Sequence, residues 1–404
     1  MSSLAIFLQG EGAVVRGYDR NSMEILAERG IEVEHEENLQ SVEWADEIIY
    51  SSAFDEKFSL IAYAKKLGKK LMVRGEALGR IASQHEKVVA VAGSHGKSSV
   101  TAMIYTILRV AGRQPSLHVG ANLKETGRSF DFAGSEFFVT EACEYHDNFL
   151  FLRPFLSVIT NVEPEHLDYF KTFNRERASF EKFKERSLNV VDGTKLQVRN
   201  LRTDRVGNLI FDVIEEGRKL FDVHMSVGGI YNAQNALFAI EAARKLGVSD
   251  CLIRLGLESY RGLEKRFERV HSKIKAVTIL DYAHHPHEIE SVHESLAKMR
   301  GKKVAVFQPH TYSRTATLMD DFVSVLSKFD EVILFKTYAA RELEQPEVEI
   351  ELLKKIAKNK KVIMFYDENA LVDKLQSYDS GHILAIMGAG DLPEKLFKLN
   401  FIWR

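Results

Sequence analysis

Val88-Val89-Ala90-Val91-Ala92-Gly93-Ser94-His95-Gly96-Lys97-Ser98-Ser99 decides how this chain is read. A short β-branched apolar run feeds a glycine-punctuated turn, and Val100 to Ala111 then carries apolar residues at helical spacing. The order strand, loop, helix makes a phosphate cradle. Gly93 and Gly96 take backbone angles closed to other residues and leave no side chain between the amides and a phosphate. A helix starting near Lys97 aims its free N–H groups and positive dipole end at the same point, with Ser94, His95 and Ser99 completing the loop. Lys97 is the residue for the β- and γ-phosphates, and the Ser98 hydroxyl suits a Mg²⁺ shell. Val91 stands where the first glycine of G-x-x-x-x-G-K-[ST] belongs, so a Gly-Lys-Ser turn without nucleotide is the competing reading.

Composition narrows the rest. A length of 404 residues allows two or three domains, and 45% hydrophobic with 28% charged residues is ordinary for a globular chain. Net charge is -2, from 55 basic and 57 acidic residues, so no bulk field draws nucleic acid or an anionic membrane. Cys143 and Cys251 supply neither a disulfide framework nor a four-cysteine zinc site. Met1 to Gln9 is apolar but lacks a basic leader, and no run reaches the roughly 20 apolar residues of a membrane span. The expectation is a cytoplasmic enzyme, monomer or homodimer, acting on small molecules.

Before the phosphate loop, helical and strand-like segments alternate: Met1 to Gln9, Ala13 to Arg16, Asn21 to Arg29, Ile31 to His35, Glu47 to Tyr50, Ile61 to Leu67 and Lys70 to Arg74. This predicts an α/β domain with a parallel sheet over residues 1–84, without a glycine loop at its start. Asp19, closing a strand, is placed for a ribose, with a solvated strand-end carboxylate as the alternative.

After the loop, Phe137 to Tyr145 and Ser157 to Asp168 read as strands ending in polar groups. Ligand chemistry in parallel sheets gathers at strand carboxyl ends, so both should converge on Lys97. Glu141 and His166 are then metal-ligating candidates with Ser98, while Glu144, Glu163 and Glu165 read as supporting or solvated. Lys182 to Arg205 is polar without a period; Leu209 to Ile214 and Lys219 to Val223 resemble a hairpin. Asn232 opens a helix, where its amide reads an adenine edge or caps the helix.

From His271 onward a further α/β unit is predicted. Its strands, Ala276 to Leu280, Lys303 to Phe307, Glu331 to Lys336 and His382 to Met387, each end in a polar or glycine-rich loop. That uniformity marks one face as functional.

The motifs GSHGKSS (93–99), TEACEY (140–145), TNVEPEHLDYF (160–170), YNAQNA (231–236), GLEKRFE (262–268), DYAHHPHE (281–288), FQPHTYSR (307–314) and GAGDL (388–392) occur in that order. Together they resemble the Mur ligases of peptidoglycan precursor synthesis. The wording of TEACEY and FQPHTYSR is most similar to the branch that joins L-alanine to UDP-N-acetylmuramate. The resemblance implies three α/β domains: a Rossmann-like uridine-nucleotide domain (1–84), a central P-loop ATPase domain with a parallel sheet (85–270), and a Rossmann-like C-terminal domain (271–404). It implies ATP and Mg²⁺, with the muramoyl carboxylate phosphorylated and the acyl phosphate then attacked by the amine. Glu141 and His166 correspond to the metal pair, and Asn232, Arg266 and Asp281 to nucleotide contacts. His284, His310 and Arg314 correspond to groups at the reacting center or amino acid, with Tyr282 beside them.

Three departures accompany it. The chain begins at Met1-Ser2-Ser3-Leu4, where relatives have the end of a G-x-G-G-x-G-M loop; a late start or a genuine loss each accounts for this. The segment after Phe183 is short and expected to lack a strand and an Asn-rich turn. Thr311 stands where many relatives carry arginine. A homologue that binds ATP or muropeptide without turnover, and a sister ligase with another amine, are the alternatives.

Overall fold

The computed structural model describes residues 1–20, 24–52, 54–204, 206–340 and 342–404. Asn21, the expected start of the second helix, and Arg341, in the loop after the third C-terminal strand, lie outside the described residues. The chain divides into two compact units, residues 1–122, 128–195 and 238–256 in one, and 123–127, 196–237 and 257–404 in the other.

The first unit is built on a six-stranded sheet with Lys87–Ala92 near its middle. The order is Asn189–Asp192, Leu156–Ile159, Lys87–Ala92, Phe137–Glu141, Ser116–Leu123, Arg128–Asp131. Lys87–Ala92 runs parallel to both neighbours, with Val91 opposite Glu141 and Ala92 opposite Ile159. Val88 to Ala92 are at most 5% exposed, which explains their uninterrupted apolar run: a central parallel strand is covered on both faces. The helix Lys97–Val110 is buried along Ser98 to Leu108 without a polar stripe, as expected of a helix enclosed on all sides. Register and burial thus fix where Gly93 leaves the sheet.

Asn189–Asp192 extends this sheet parallel to Leu156–Ile159, so a strand does follow the helix Phe173–Glu185. The expectation that none would is corrected. Its Val190-Val191 core is flanked by Asn189 and Asp192, too short a run to register as periodic.

The N-terminal segment also departs from expectation. Among the described residues it forms two parallel pairs rather than one continuous sheet, Arg16–Tyr18 with Glu32–Glu34 and Glu47–Tyr50 with Lys70–Val73. These strands have only three or four residues and are mostly half-exposed. Helix Ser2–Gly10 serves both sides: Leu4 and Phe7 join the core of Met72, Leu78 and Phe138, while Ile6 packs with Leu26, Ile31 and Phe130.

The second unit carries an antiparallel meander, Leu196–Thr203, Leu209–Glu215 and Arg218–His224. The hairpin was legible; the first strand was not. Its seven-stranded sheet has the order Val362–Phe365, Glu331–Phe335, Lys302–Phe307, His382–Met387, Val277–Asp281, Glu268–Ser272, Ile402–Trp403. The first five are mutually parallel, so Asp281, Phe307, Phe335 and Met387 end on one edge. Two buried apolar clusters, around Phe307 and Phe322 and around Phe335 and Leu384, cover its faces. No helix among the described residues is long and apolar enough to cross a membrane.

Candidate functional site

In the first unit the loop geometry follows from its glycines. Gly93 has φ +135°, and a Cβ there would collide with Thr160 Oγ1 and the Asn161 carbonyl. Gly96, at φ +84°, stands before the first turn of Lys97–Val110. The second strand end holds the loop shut: Asn161 Oδ1 accepts the His95 N–H at 2.9 Å, and Thr160 Oγ1 donates to the His95 carbonyl at 2.6 Å. Ser94 Oγ accepts the Glu163 N–H at 2.8 Å.

Four candidates gather around this loop. Lys97 Nζ donates to the Gly93 carbonyl at 2.5 Å and lies 3.1 Å from Glu144 Oε1. Ser98 Oγ donates to Glu141 Oε1 at 2.9 Å, and the other Glu141 oxygen accepts the Gly120 N–H. His166 Nε2 lies 3.4 Å from Glu144 Oε1, its ring 4.6 Å from that of Tyr145. His166 has φ +52°, an uncommon conformation for a residue with a side chain and a strained one where it occurs near a site.

Glu144 was read as supporting or solvated, and the structure rules out the second: it is enclosed. It is 1% exposed and is the shared partner of Lys97 and His166, with Oε2 lacking a hydrogen-bond partner among the described residues. Burial pushes its carboxyl up, but Lys97 and then His166 pull it further down, leaving it below the usual range. Burial lowers the Lys97 ammonium, and Glu144 with its acidic neighbours more than reverses this. His166 behaves alike: burial lowers it and Glu144 raises it above its ordinary value. Glu144, Glu165 and His166 bring one ligand atom each within 4.8 Å of one another. Two glutamates spaced three apart after an apolar strand were the available signal, but nothing in that spacing says which is enclosed.

Beneath this cluster His118 is buried between Arg74 and Thr140. A guanidinium only donates, so Arg74 Nη2 at 3.3 Å makes His118 Nε2 an acceptor and leaves the proton on Nδ1, 3.2 Å from Thr140 Oγ1. Burial, then Arg74, drives this imidazole down to about 3.

The second unit gathers its own set at the parallel strand ends. His284 Nδ1 donates to the Tyr282 carbonyl at 2.9 Å, and its ring lies 5.8 Å from that of His310. Arg314, one helical turn past His310, places Nη1 3.4 Å from His310 Nδ1, which must therefore accept. Burial, then Arg314 and His284, lowers His310 to about 4, and burial lowers His284 despite Glu288. Thr311, between them, has φ +67°.

Asp281 is 5% exposed and fastens three segments: Oδ2 accepts from the Phe267 N–H at 2.7 Å and Tyr231 hydroxyl at 3.0 Å, and Oδ1 from the Ala283 N–H at 2.8 Å. Arg266 stacks over Tyr282, 5.3 Å from the ring centroid, and lines a cavity of about 290 Å³ with Lys124, Arg261 and Arg269. Asn232 uses its amide locally, donating to the Gly228 carbonyl at 2.8 Å and accepting from the Asn235 side chain at 3.3 Å.

Comparison with known proteins agrees along the whole chain. Residues 1–86 match the Mur ligase family catalytic domain, 91–191 the Mur ligase middle domain and 265–390 the Mur ligase glutamate ligase domain. The UDP-N-acetylmuramate–L-alanine ligase of Agathobacter rectalis is 34% identical over 434 aligned positions, covering 98% of this chain and 94% of that one. The crystal structure of the UDP-N-acetylmuramate-alanine ligase MurC of Thermotoga maritima superposes with a TM-score of 0.85 at 21% identity, covering 98% and 95%. The MurF ligase of Thermotoga maritima, solved in complex with ADP, shares the fold at a TM-score of 0.63 and 17% identity, covering 90% and 95%. With three domain matches in order and a third of the residues identical to a relative along nearly its full length, the chain belongs to the Mur ligase family.

Proposed function

We propose that this chain joins L-alanine to the carboxyl group of UDP-N-acetylmuramate with ATP, in cytoplasmic peptidoglycan precursor synthesis. The observation that carries the reading is the glycine loop at Gly93 to Gly96, closed around Lys97, with Ser98 bonded to Glu141 and with Glu144 shared between Lys97 and His166. A carboxylate has no leaving group, and phosphorylation provides one. The muramoyl carboxylate oxygen bonds to the γ-phosphorus as ADP departs; the amine then attacks the acyl carbon and inorganic phosphate leaves.

The donor set that fits a divalent cation is Glu144, Glu165 and His166, one ligand atom each within 4.8 Å of the others, with Glu144 Oε2 buried without a hydrogen bond among the described residues; Ser98 and Glu141, bonded to each other, lie beside Lys97. Ser98, Glu141 and His166 would hold Mg²⁺, with Glu144 and Glu165 beside them. Bound there, it supplies charge neutralisation on phosphate oxygens. The chain's own groups do the rest. Gly93, Ser94, His95, Gly96 and Ser99 shape the cradle, and Lys97 leaves Glu144 for the phosphates. Asn232, Arg266 and Asp281 serve the nucleotide side. His284 keeps Nε2 as the proton acceptor for an incoming ammonium, while His310 and Arg314 orient the amino acid's carboxylate. The functional division is 1–84 for the uridine nucleotide, 85–270 for ATP and 271–404 for the amino acid.

The test is ADP release by the purified chain with UDP-N-acetylmuramate and each of L-alanine, glycine, L-serine and the muropeptide tripeptide. Release that requires L-alanine supports the reading. ATP binding with no amine-dependent release supports the non-catalytic alternative, and preference for the tripeptide supports the sister ligase.

A further inference from the structure

The helix Phe173–Glu185 carries a residue at odds with its surroundings. Thr172 caps it by accepting the Arg175 N–H, and Ser179, Phe180 and Phe183 are buried on the same side as Glu176. An acidic residue in a first turn suits the helix dipole, but that favours an exposed carboxylate equally. Glu176 is 0% exposed. One oxygen, Oε2, accepts the Glu165 N–H at 3.1 Å, and the other, Oε1, has no hydrogen-bond partner among the described residues. Enclosing a carboxylate with half its acceptor capacity unused is costly unless something else answers its charge.

The charges that act on Glu176 are Glu144, Glu165 and His166, the same three groups whose ligand atoms meet within 4.8 Å. Glu144 repeats the pattern, enclosed and with one oxygen unpartnered. Burial, with the like charges of Glu144 and Glu165, pushes the Glu176 carboxyl up to about 7, a repulsion that a cation at the cluster relieves, whereas Glu144 itself is answered by Lys97 and His166. The Glu165 N–H bond adds a mechanical link, because it ties the helix to the turn in which His166 adopts φ +52°.

We propose that Glu176 is a positioning residue for the divalent cation: it fastens the turn bearing Glu165 and His166 and adds a buried negative charge that strengthens the cluster's hold on the ion. This rests on the cation reading above. Groups supporting metal ligands typically change metal affinity about 10- to 100-fold when altered.

The experiment measures Mn²⁺ binding in the presence of ADP by electron paramagnetic resonance, on the full chain and on Glu176→Gln and Glu176→Asp. Melting in EDTA is recorded alongside. The expected result is a Mn²⁺ Kd raised about tenfold in Glu176→Gln, with Glu176→Asp, which keeps the charge, within about threefold of the parent. In EDTA, Glu176→Gln should melt no lower than the parent, since it removes an uncompensated charge while keeping an acceptor for the Glu165 N–H. Affinity lost alike in both variants, or in neither, overturns the proposal, as does a lower melting temperature of Glu176→Gln in EDTA with Mn²⁺ affinity unchanged. If the parent chain itself binds no Mn²⁺, the cation reading fails rather than the role of Glu176 alone.

Discussion

Two clusters at the carboxyl ends of parallel strands treat their ionisable groups in opposite ways. Around Lys97 three charges face one another and are retained: the ammonium and the His166 imidazole are held above their ordinary values and Glu144 below, because each meets an opposite charge at close range. Around His310 burial and the guanidinium of Arg314 outweigh the nearby carboxylates of Glu288 and Glu342, and both His284 and His310 are driven toward the neutral form. The topology is shared and the electrostatics are inverted. One cluster is suited to anions and cations, the other to accepting a proton and orienting a small zwitterion.

The largest expected effect comes from Lys97→Ala. It should lower alanine-dependent ADP release by about a thousandfold, the order of loss when a single charge-stabilising donor is removed from a reacting phosphate or oxyanion. Circular dichroism should show a retained fold. Turnover within tenfold of the parent would break the comparison, because the charged cluster would then not be the phosphate site.

His118 sharpens it, since this imidazole lies in the charged region yet is held neutral as His310 is. Its folded pKa, about 3, is depressed below the unfolded value, so the unfolded state takes up the extra proton between pH 6.5 and 3. Its share of stability is therefore complete above pH 6.5 and is lost as pH falls toward 3. His118→Gln should flatten the decline in urea-derived stability from pH 7 to pH 4 by on the order of 3 kcal/mol relative to the parent. Parallel pH profiles would mean that the imidazole protonates without cost, against the burial argument.

The smallest effect is expected for Arg314→Lys, which keeps the charge but not the planar fork. KM for L-alanine should rise about tenfold with kcat little changed, read from initial rates across alanine concentrations. A fall in kcat at unchanged KM would move Arg314 from orientation of the amino acid to the chemistry itself.

Much of this was open to a reader of the sequence. The strand before Gly93 shows as a β-branched run because a doubly covered strand has no polar face, and Lys97, Ser98, Glu141 and His166 stand at strand ends that the parallel order brings side by side. The C-terminal strands were equally legible, each closing on residues unlike those within it. What escaped had a physical cause. Leu196–Thr203 lies largely exposed, so its alternation of apolar and polar residues is faint. The N-terminal strands are too short to reveal that they pair in two separate groups. The enclosure of Glu144 and Glu176 was not legible because the burial of a carboxylate depends on residues distant in the chain, Lys97 for one and the Glu165 turn for the other. Asn232 left two roles open, because the partners of its amide, the Gly228 carbonyl and the Asn235 side chain, are set by how the chain enters the helix.

The double attachment of Glu144 carries a consequence for selectivity. A lysine already matched by an internal counter-ion gains nothing from a chloride or a lone carboxylate drifting into the loop, since such a visitor merely replaces one weak partner with another. Only a ligand that brings several negative oxygens together with its own cation can compensate the abandoned glutamate as well as the lysine, so the resting loop would act as a threshold against the simple anions that surround it in far greater abundance.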